Sequence, residues 1–426
     1  MKSPFASRVP HHLLAGAIAL ALPGTALADA VTDWNALTTQ FGVAAGGPPQ
    51  QFRVAAMAQI AVHDALNSID PRYRTYAPLG AANPNASPDA AVARATADVL
   101  LATVPSQSAA INTAYSNYIA ALPACPVSAP TCIADGEAAG AAAAAAIVEM
   151  RTLDGSETPH VPYTLAPGRG VYQPTTPTPA PPAPFPQFGG WGDVKPFALG
   201  SHSQFGSGRT DFFNLKGKTY TADYNEVKSV GSSAVRGAAP DSEESQIARF
   251  WPGGGGNLNA VARTIVNGMG LDLWEHARLF ALTNIAINDA LVVTFHLKFR
   301  YNFWRPQTAI RYADDGNPNT DSDPNWSSYL TTPPYPDYPC GLPSTVGAAT
   351  EVWRDFFGTD EVPFTFTATA LPPSVTRSYT SLSQAAAESA SARVYAGIHF
   401  RSGCEAAVRQ SEKVGRFVTN TQLKGR

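Results

Sequence analysis

The sequence predicts an all-α fold: two packed four-helix-bundle halves with a Pro/Gly-rich connecting region. Three observations lead to it. Apolar residues recur at three- and four-residue spacing over most of the 426 residues, and strand signals gather mainly around Val362 to Ala370. Two apolar segments repeat one another, Ala58-Gln-Ile-Ala-Val-His-Asp-Ala-Leu66 and Thr283-Asn-Ile-Ala-Ile-Asn-Asp-Ala-Leu291. Between them lie a Pro-rich run, Pro177 to Pro186, and a Gly run, Gly253 to Gly256, which read as surface chain and a flexible turn.

The elements follow in chain order. Lys2 and Arg8 precede an apolar stretch, Leu13 to Leu22, that is too short to span a bilayer. Pro23-Gly24 breaks it, and Ala26-Leu27-Ala28 reads as a small-residue cleavage site before Asp29. Residues 1–28 are therefore expected to be a signal peptide, and the protein to be periplasmic or secreted. Cleavage would leave 426 − 28 = 398 residues and a formal charge of −3 − 2 = −5. No later apolar run of about 18 residues predicts a membrane span.

An N-terminal helical bundle is expected over 29–160, with helices at 53–69, 88–104, 107–122 and 133–151; the last is Ala-rich and suits close helix approach. An irregular connection covers 161–256. A C-terminal bundle covers 257–426, with helices at 257–268, 271–297, 344–357, 381–395 and 402–420. Residues 29–426 are expected to pack as one compact domain. Asp64 and Asp289 occupy the same place in the repeated segments, on otherwise apolar faces. A buried acid must be hydrogen-bonded or paired, so capping or bundle-locking is their expected role.

Composition narrows function. Charged residues are 15% and hydrophobic ones 44%, with 30 Lys+Arg against 33 Asp+Glu. So few basic residues argue against a nucleic-acid partner and leave a small-molecule substrate as the expectation, with a homodimer among the assemblies considered. No nucleophile elbow, zincin motif or P-loop is present, and the histidines do not cluster at divalent-metal spacing. Four cysteines allow three connectivities. Cys125 and Cys132 flank a hexapeptide and are expected to close a small loop, which leaves Cys340 and Cys404.

The scarce basic residues concentrate in two places. One is Lys298-Phe-Arg-Tyr-Asn-Phe-Trp-Arg305-Pro306, and the other is Arg393-Val-Tyr-Ala-Gly-Ile-His399-Phe-Arg401. Between them, Tyr335-Pro-Asp-Tyr-Pro-Cys340-Gly341-Leu342 reads as a tight turn opening a helix, whose free N–H groups suit an anion. Lys298, Arg305, Arg393 and His399 with that turn describe an oxyanion cage, set among Tyr301, Phe303, Trp304, Tyr335, Tyr338 and Tyr395.

These residues resemble the vanadium-dependent haloperoxidase and type 2 phosphatidic acid phosphatase superfamily. Its pattern is K-x6-R-P, then P-S-G-H, then S-R-x5-H. The first element stands as Lys298 to Pro306, and the third as Ala392-Arg393 to His399 with Ala for Ser. Trp304 to Arg311, Asn225 to Lys228 and Ala277 to Leu282 are also similar to bacterial haloperoxidase-type members. The resemblance implies two four-helix bundles. It implies that Lys298, Arg305, Cys340, Gly341 and Arg393 hold the oxygens of vanadate or phosphate. It implies that His399 is the axial ligand to vanadium, or the nucleophile on phosphorus.

The middle element departs from the pattern as Pro339-Cys340-Gly341-Leu342. Cys replaces the Ser donor, and Leu replaces the acid–base His. Positioned acid–base help is typically worth about 10²–10⁴-fold, which opposes ordinary halide oxidation. Three functions are therefore expected to compete: a haloperoxidase-like enzyme, a phosphatase-like or prenyl-diphosphate-processing enzyme, and a non-catalytic oxyanion binder. A Cys340–Cys404 disulfide would clamp the anion-binding turn to the segment carrying His399.

Overall fold

The computed structural model describes residues 29–174, 187–206 and 211–426. The expected signal peptide and the Pro-rich run Pro177 to Pro186 lie outside these.

The first half contains α1 (Ala30–Gly42), α2 (Pro48–Ile69), α3 (Pro88–Thr103), α4 (Ser108–Ala121) and α5 (Cys132–Met150). Sequence analysis did not predict α1. Its start is fixed by Asp29, whose carboxylate accepts the Thr32 N–H at 2.8 Å while its own N–H donates to the Thr32 hydroxyl at 3.0 Å. Trp34 anchors it, fully buried. The expected close approach of the Ala-rich helix is present: a Cβ at Gly140 of α5 would collide with the Ala91 carbonyl of α3.

The connection carries α6 (Lys218–Val230), α7 (Ser233–Ala238) and α8 (Glu243–Phe250). These were missed because their apolar stripes are thin. At the expected Gly turn, residues Trp251–Gly255 form one π-helical turn, with Gly254 at φ 139°.

The second half is α9 (Leu258–Val266), α10 (Leu273–Tyr301), α11 (Pro306–Arg311), α12 (Gly341–Phe357), α13 (Leu382–Tyr395) and α14 (Arg401–Thr421). A hairpin of β1 (Phe364–Ala368) and β2 (Val375–Tyr379) lies between α12 and α13, pairing Phe364 with Tyr379 and Ala368 with Val375. Among the described residues α10 alone is long and apolar enough to cross a membrane. Its most apolar 18 residues are 94% buried within the protein, so it serves as the central core helix. It packs on α2, α12 and α14 and so joins the two halves.

The two repeated acids have one job. Asp64 accepts the N–H groups of Tyr76 (2.8 Å) and Ala77 (2.7 Å). Asp289 accepts those of Phe197 (2.6 Å), Ala198 (2.7 Å) and Leu199 (2.9 Å). Each pins a returning loop to the core helix of its half, and the Tyr76 hydroxyl joins the two loops by donating to the Phe197 carbonyl at 2.7 Å. Burial pushes the Asp289 carboxyl up, against its three N–H donors.

Candidate oxyanion site

Four backbone devices bring the basic residues together. Lys298 lies in the last turn of α10, which Asn302 ends in the left-handed region at φ 48°. Arg305 follows as the cap of α11, just before Pro306. The turn from Tyr335 contains a cis Tyr338-Pro339 bond and opens α12 at Gly341. Arg393 sits in the last turn of α13. The chain then bends at Gly397 (φ 75°), where any Cβ would strike the Gly231 carbonyl, and presents His399 ahead of α14.

These folds bury Lys298, Arg305, Arg393 and His399 side by side. Lys298 Nζ donates to the carbonyls of Pro336 and Asp337, both at 2.8 Å. Arg305 Nε donates to the Tyr335 carbonyl at 2.8 Å, and Nη1 to the Ile398 carbonyl at 2.7 Å. Both cations stack on the Tyr335 ring, 5.1 and 5.0 Å from its centroid. Arg305 Nη1 also lies 2.8 Å from His399 Nε2. Two buried donors, Arg305 Nη2 and Arg393 Nε, have no protein partner.

The electrostatics set several buried basic groups against one another. Burial, then neighbouring Arg305, lowers Lys298 well below the ordinary lysine range, with Asp337 opposing. Burial pushes Arg393 down to about 10, with Tyr335 opposing and Arg305 adding to it. Burial and the three cations hold His399 well below its usual value, against a hydrogen bond to the Asp337 backbone, so the ring is neutral. An oxyanion among these groups would relieve the mutual repulsion and occupy the orphaned donors.

Sequence reasoning missed Asp337. It is fully buried, with Oδ1 3.0 Å from His399 Nδ1 and 4.0 Å from Arg305 Nη1. Burial pushes its carboxyl up to about 7 while Arg305 and Lys298 pull it down. The available signal was an acid embedded in an aromatic, Pro-rich turn between two basic segments.

Cys340 is joined to Cys404, and Cys125 to Cys132. This sets a limit on Cys340 as an oxyanion holder. Its sulfur carries no hydrogen to donate, and its N–H donates to the Gly403 carbonyl at 3.3 Å. The two sulfurs lie within 4.8 Å of a His399 nitrogen, but in the disulfide they offer no thiolate to a metal.

Gly341, Arg393 and His399 line a cavity of about 480 Å³. Its other walls are largely apolar, including Phe52, Phe188, Trp251, Leu291, Phe295 and Leu342. Leu342 faces Gly256, the residue just after the π-helical turn, where a Cβ would crowd its Cδ1. His296, two residues before Lys298 on α10, does not line this cavity and so does not replace the absent acid–base group. It stacks on His202 with centroids 3.9 Å apart.

With this geometry in hand, comparison with known proteins is specific. A family model, the VCPO second helical-bundle domain, matches residues 278–424, the segment holding every cage residue. A vanadium chloroperoxidase of Curvularia inaequalis is 33% identical over 93 residues, which span 20% of this chain and 15% of that enzyme. The segment that carries the cage is thus similar to the second helical bundle of vanadium chloroperoxidases. The fold agrees over nearly the whole chain. The first bacterial vanadium-dependent iodoperoxidase structure superposes with a TM-score of 0.76 at 24% identity, covering 93% of this chain and 96% of that one. A holo-type bacterial vanadium-dependent chloroperoxidase gives 0.67 at 17% identity, covering 94% and 93%. At these identities the structural likeness speaks for the fold alone. Within a haloperoxidase-type fold, the residues present fit a tetrahedral oxyanion: three buried cations, two orphaned guanidinium nitrogens and a neutral imidazole.

Proposed function

We propose that this chain is an exported haloperoxidase-superfamily enzyme that holds vanadate between Lys298, Arg305, Arg393, the Gly341 turn and His399. The observation that carries the reading is the pair of buried, unpartnered donors, Arg305 Nη2 and Arg393 Nε, beside a neutral His399. Bound vanadate would supply a Lewis-acid centre for oxidation of a halide by hydrogen peroxide. The protein's part is to neutralise the anion's charge, orient it with fork-shaped donors and keep a lone pair on Nε2.

Leu342 and the apolar cavity favour a second reading, diphosphate chemistry. Leu342 cannot move a proton, and a missing general acid matters least when the leaving group is already a stable anion. The cage would hold the diphosphate of a prenyl diphosphate, and the cavity its hydrocarbon, within the 300–1,000 Å³ span typical of small-molecule sites.

The test is to load the purified protein with orthovanadate, measure binding by equilibrium dialysis, and assay iodide and bromide oxidation with peroxide. Prenyl diphosphates and simple phosphate esters are assayed in parallel. Bound vanadate with halide turnover supports the first reading. Bound vanadate without it ends that reading, and release of diphosphate then supports the second. Oxyanion binding with no turnover of any substrate leaves a binder.

A further inference from the structure

We infer that Asp337 is a positioning residue that fixes the tautomer of His399, so that the imidazole keeps its proton on Nδ1 and its lone pair on Nε2. The argument is one of donors and acceptors. A guanidinium has only N–H donors, so Arg305 Nη1, 2.8 Å from Nε2, requires that nitrogen to accept. A neutral ring then carries its hydrogen on Nδ1, the atom that Asp337 Oδ1 approaches at 3.0 Å. The opposite tautomer would set N–H against N–H at Arg305 and lone pair against lone pair at Asp337. Both neighbours therefore select the same state.

Asp337 is built for this task. It is fully buried behind the ring and does not line the cavity. Its main-chain carbonyl is held by Lys298 Nζ at 2.8 Å. Its backbone also engages the ring. The Nδ1 contact lies off the ideal hydrogen-bond axis, and the Phe400 N–H helps to hold the carboxylate beside the ring. The consequence for anion binding rests on the oxyanion reading above. The tautomer does not.

The test uses the full chain labelled with ¹⁵N-histidine, with a His399→Gln spectrum to assign the ring. Wild type should show a pyrrole-type Nδ1 and a pyridine-type Nε2. In Asp337→Asn, an amide N–H turned toward the ring should shift the population to the Nε2–H form. Vanadate, which needs the lone pair, should then bind about 10–100-fold more weakly, as when a partner behind a metal-bound imidazole is lost. Phosphate, held by the cations alone, should change less. Asp337→Ala tests whether the main-chain carbonyl suffices. Unchanged nitrogen shifts and an unchanged vanadate-to-phosphate affinity ratio in a folded Asp337→Asn protein would overturn the inference. If wild type binds neither anion, the oxyanion reading fails, while the nitrogen shifts still decide the tautomer.

Discussion

The two helical halves solve one structural problem alike and a second one differently. In each, a buried aspartate on the core helix pins a returning loop, Asp64 on α2 and Asp289 on α10. They part at their buried guanidinium groups. In the first half Arg151 is saturated: Nε meets Asp154 at 2.8 Å, Nη1 the Pro196 carbonyl at 3.1 Å, and Nη2 the Lys195 carbonyl. Arg53 shares the same carboxylate at 2.9 Å. In the second half Arg305 and Arg393 each keep a nitrogen with no partner. A satisfied buried cation is structure, whereas the unsatisfied pair beside His399 is what the proposed oxyanion site rests on.

Removing one arginine from each half should give the largest effects and separate the two roles. Arg305→Ala should weaken vanadate or phosphate binding by at least ~30-fold, the range for truncating a buried hydrogen-bonded charge partner. Arg151→Ala should leave anion affinity near wild type and cost about 1–3 kcal/mol of stability, because the Lys195 and Pro196 carbonyls lose their donor while Arg53 still holds Asp154. Equilibrium dialysis and denaturant melts read the two effects. Equal loss of anion affinity in both variants would break the comparison.

The disulfides sharpen it next. Cys125–Cys132 closes a separation of 7, and Cys340–Cys404 one of 64. In the loop-entropy model these are worth about 2.5 and 4 kcal/mol. Replacing the second pair by Ser should therefore destabilise more. It should also lower anion affinity, since this bond ties the Gly341 turn to the helix after His399. Replacing the first pair should leave anion affinity alone.

The shared device should yield a smaller, symmetric pair of effects. Asp64→Asn and Asp289→Asn each weaken charge-assisted bonds to backbone N–H groups and should cost about 1–3 kcal/mol in thermal or denaturant melts. Neither should change anion affinity directly. A large loss in one variant and none in the other would mean that the repeated acids are not equivalent supports.

How much of this could be read from sequence follows from where the signal lies. The expected helices at 53–69, 88–104 and 271–297 correspond to α2, α3 and α10, because a wide apolar stripe states its own period. α1 was missed because its decisive feature is a cap, Asp29 with Thr32, at the edge of the expected signal peptide. The cationic members of the cage were legible because Lys298, Arg305 and Arg393 are rare residues at fixed spacing. Asp337 was not, since an acid beside basic segments looks like any surface charge until the fold shows it behind His399. The cysteine pairing was narrowed by spacing but could be chosen only by the fold.

The smallest expected effect is in the pH dependence, and its sign differs between the first half and the contact of α6 with α14. Burial raises Asp154, but the Arg53 hydrogen bond and the two guanidinium charges outweigh it, so its pKa is lowered overall. Its contribution is present above the ordinary aspartate pKa and is lost as pH falls through the lowered value. Asp223, which accepts the Ser402 N–H at the start of α14 at 2.9 Å, is raised by burial from 3.8 to about 6. Its contribution is complete below pH 3.8 and is lost as pH rises through about 6. Moving from pH 7.5 to pH 5 should therefore strengthen the packing of α14 on α6 while leaving the Arg53–Asp154–Arg151 cluster unchanged. Below pH 3.8 the order should reverse, with the first half loosening. Hydrogen exchange corrected for intrinsic rates, compared between residues 401–410 and 147–154, reads both changes. Parallel behaviour across this span would show that the two regions do not differ in how they hold buried charge.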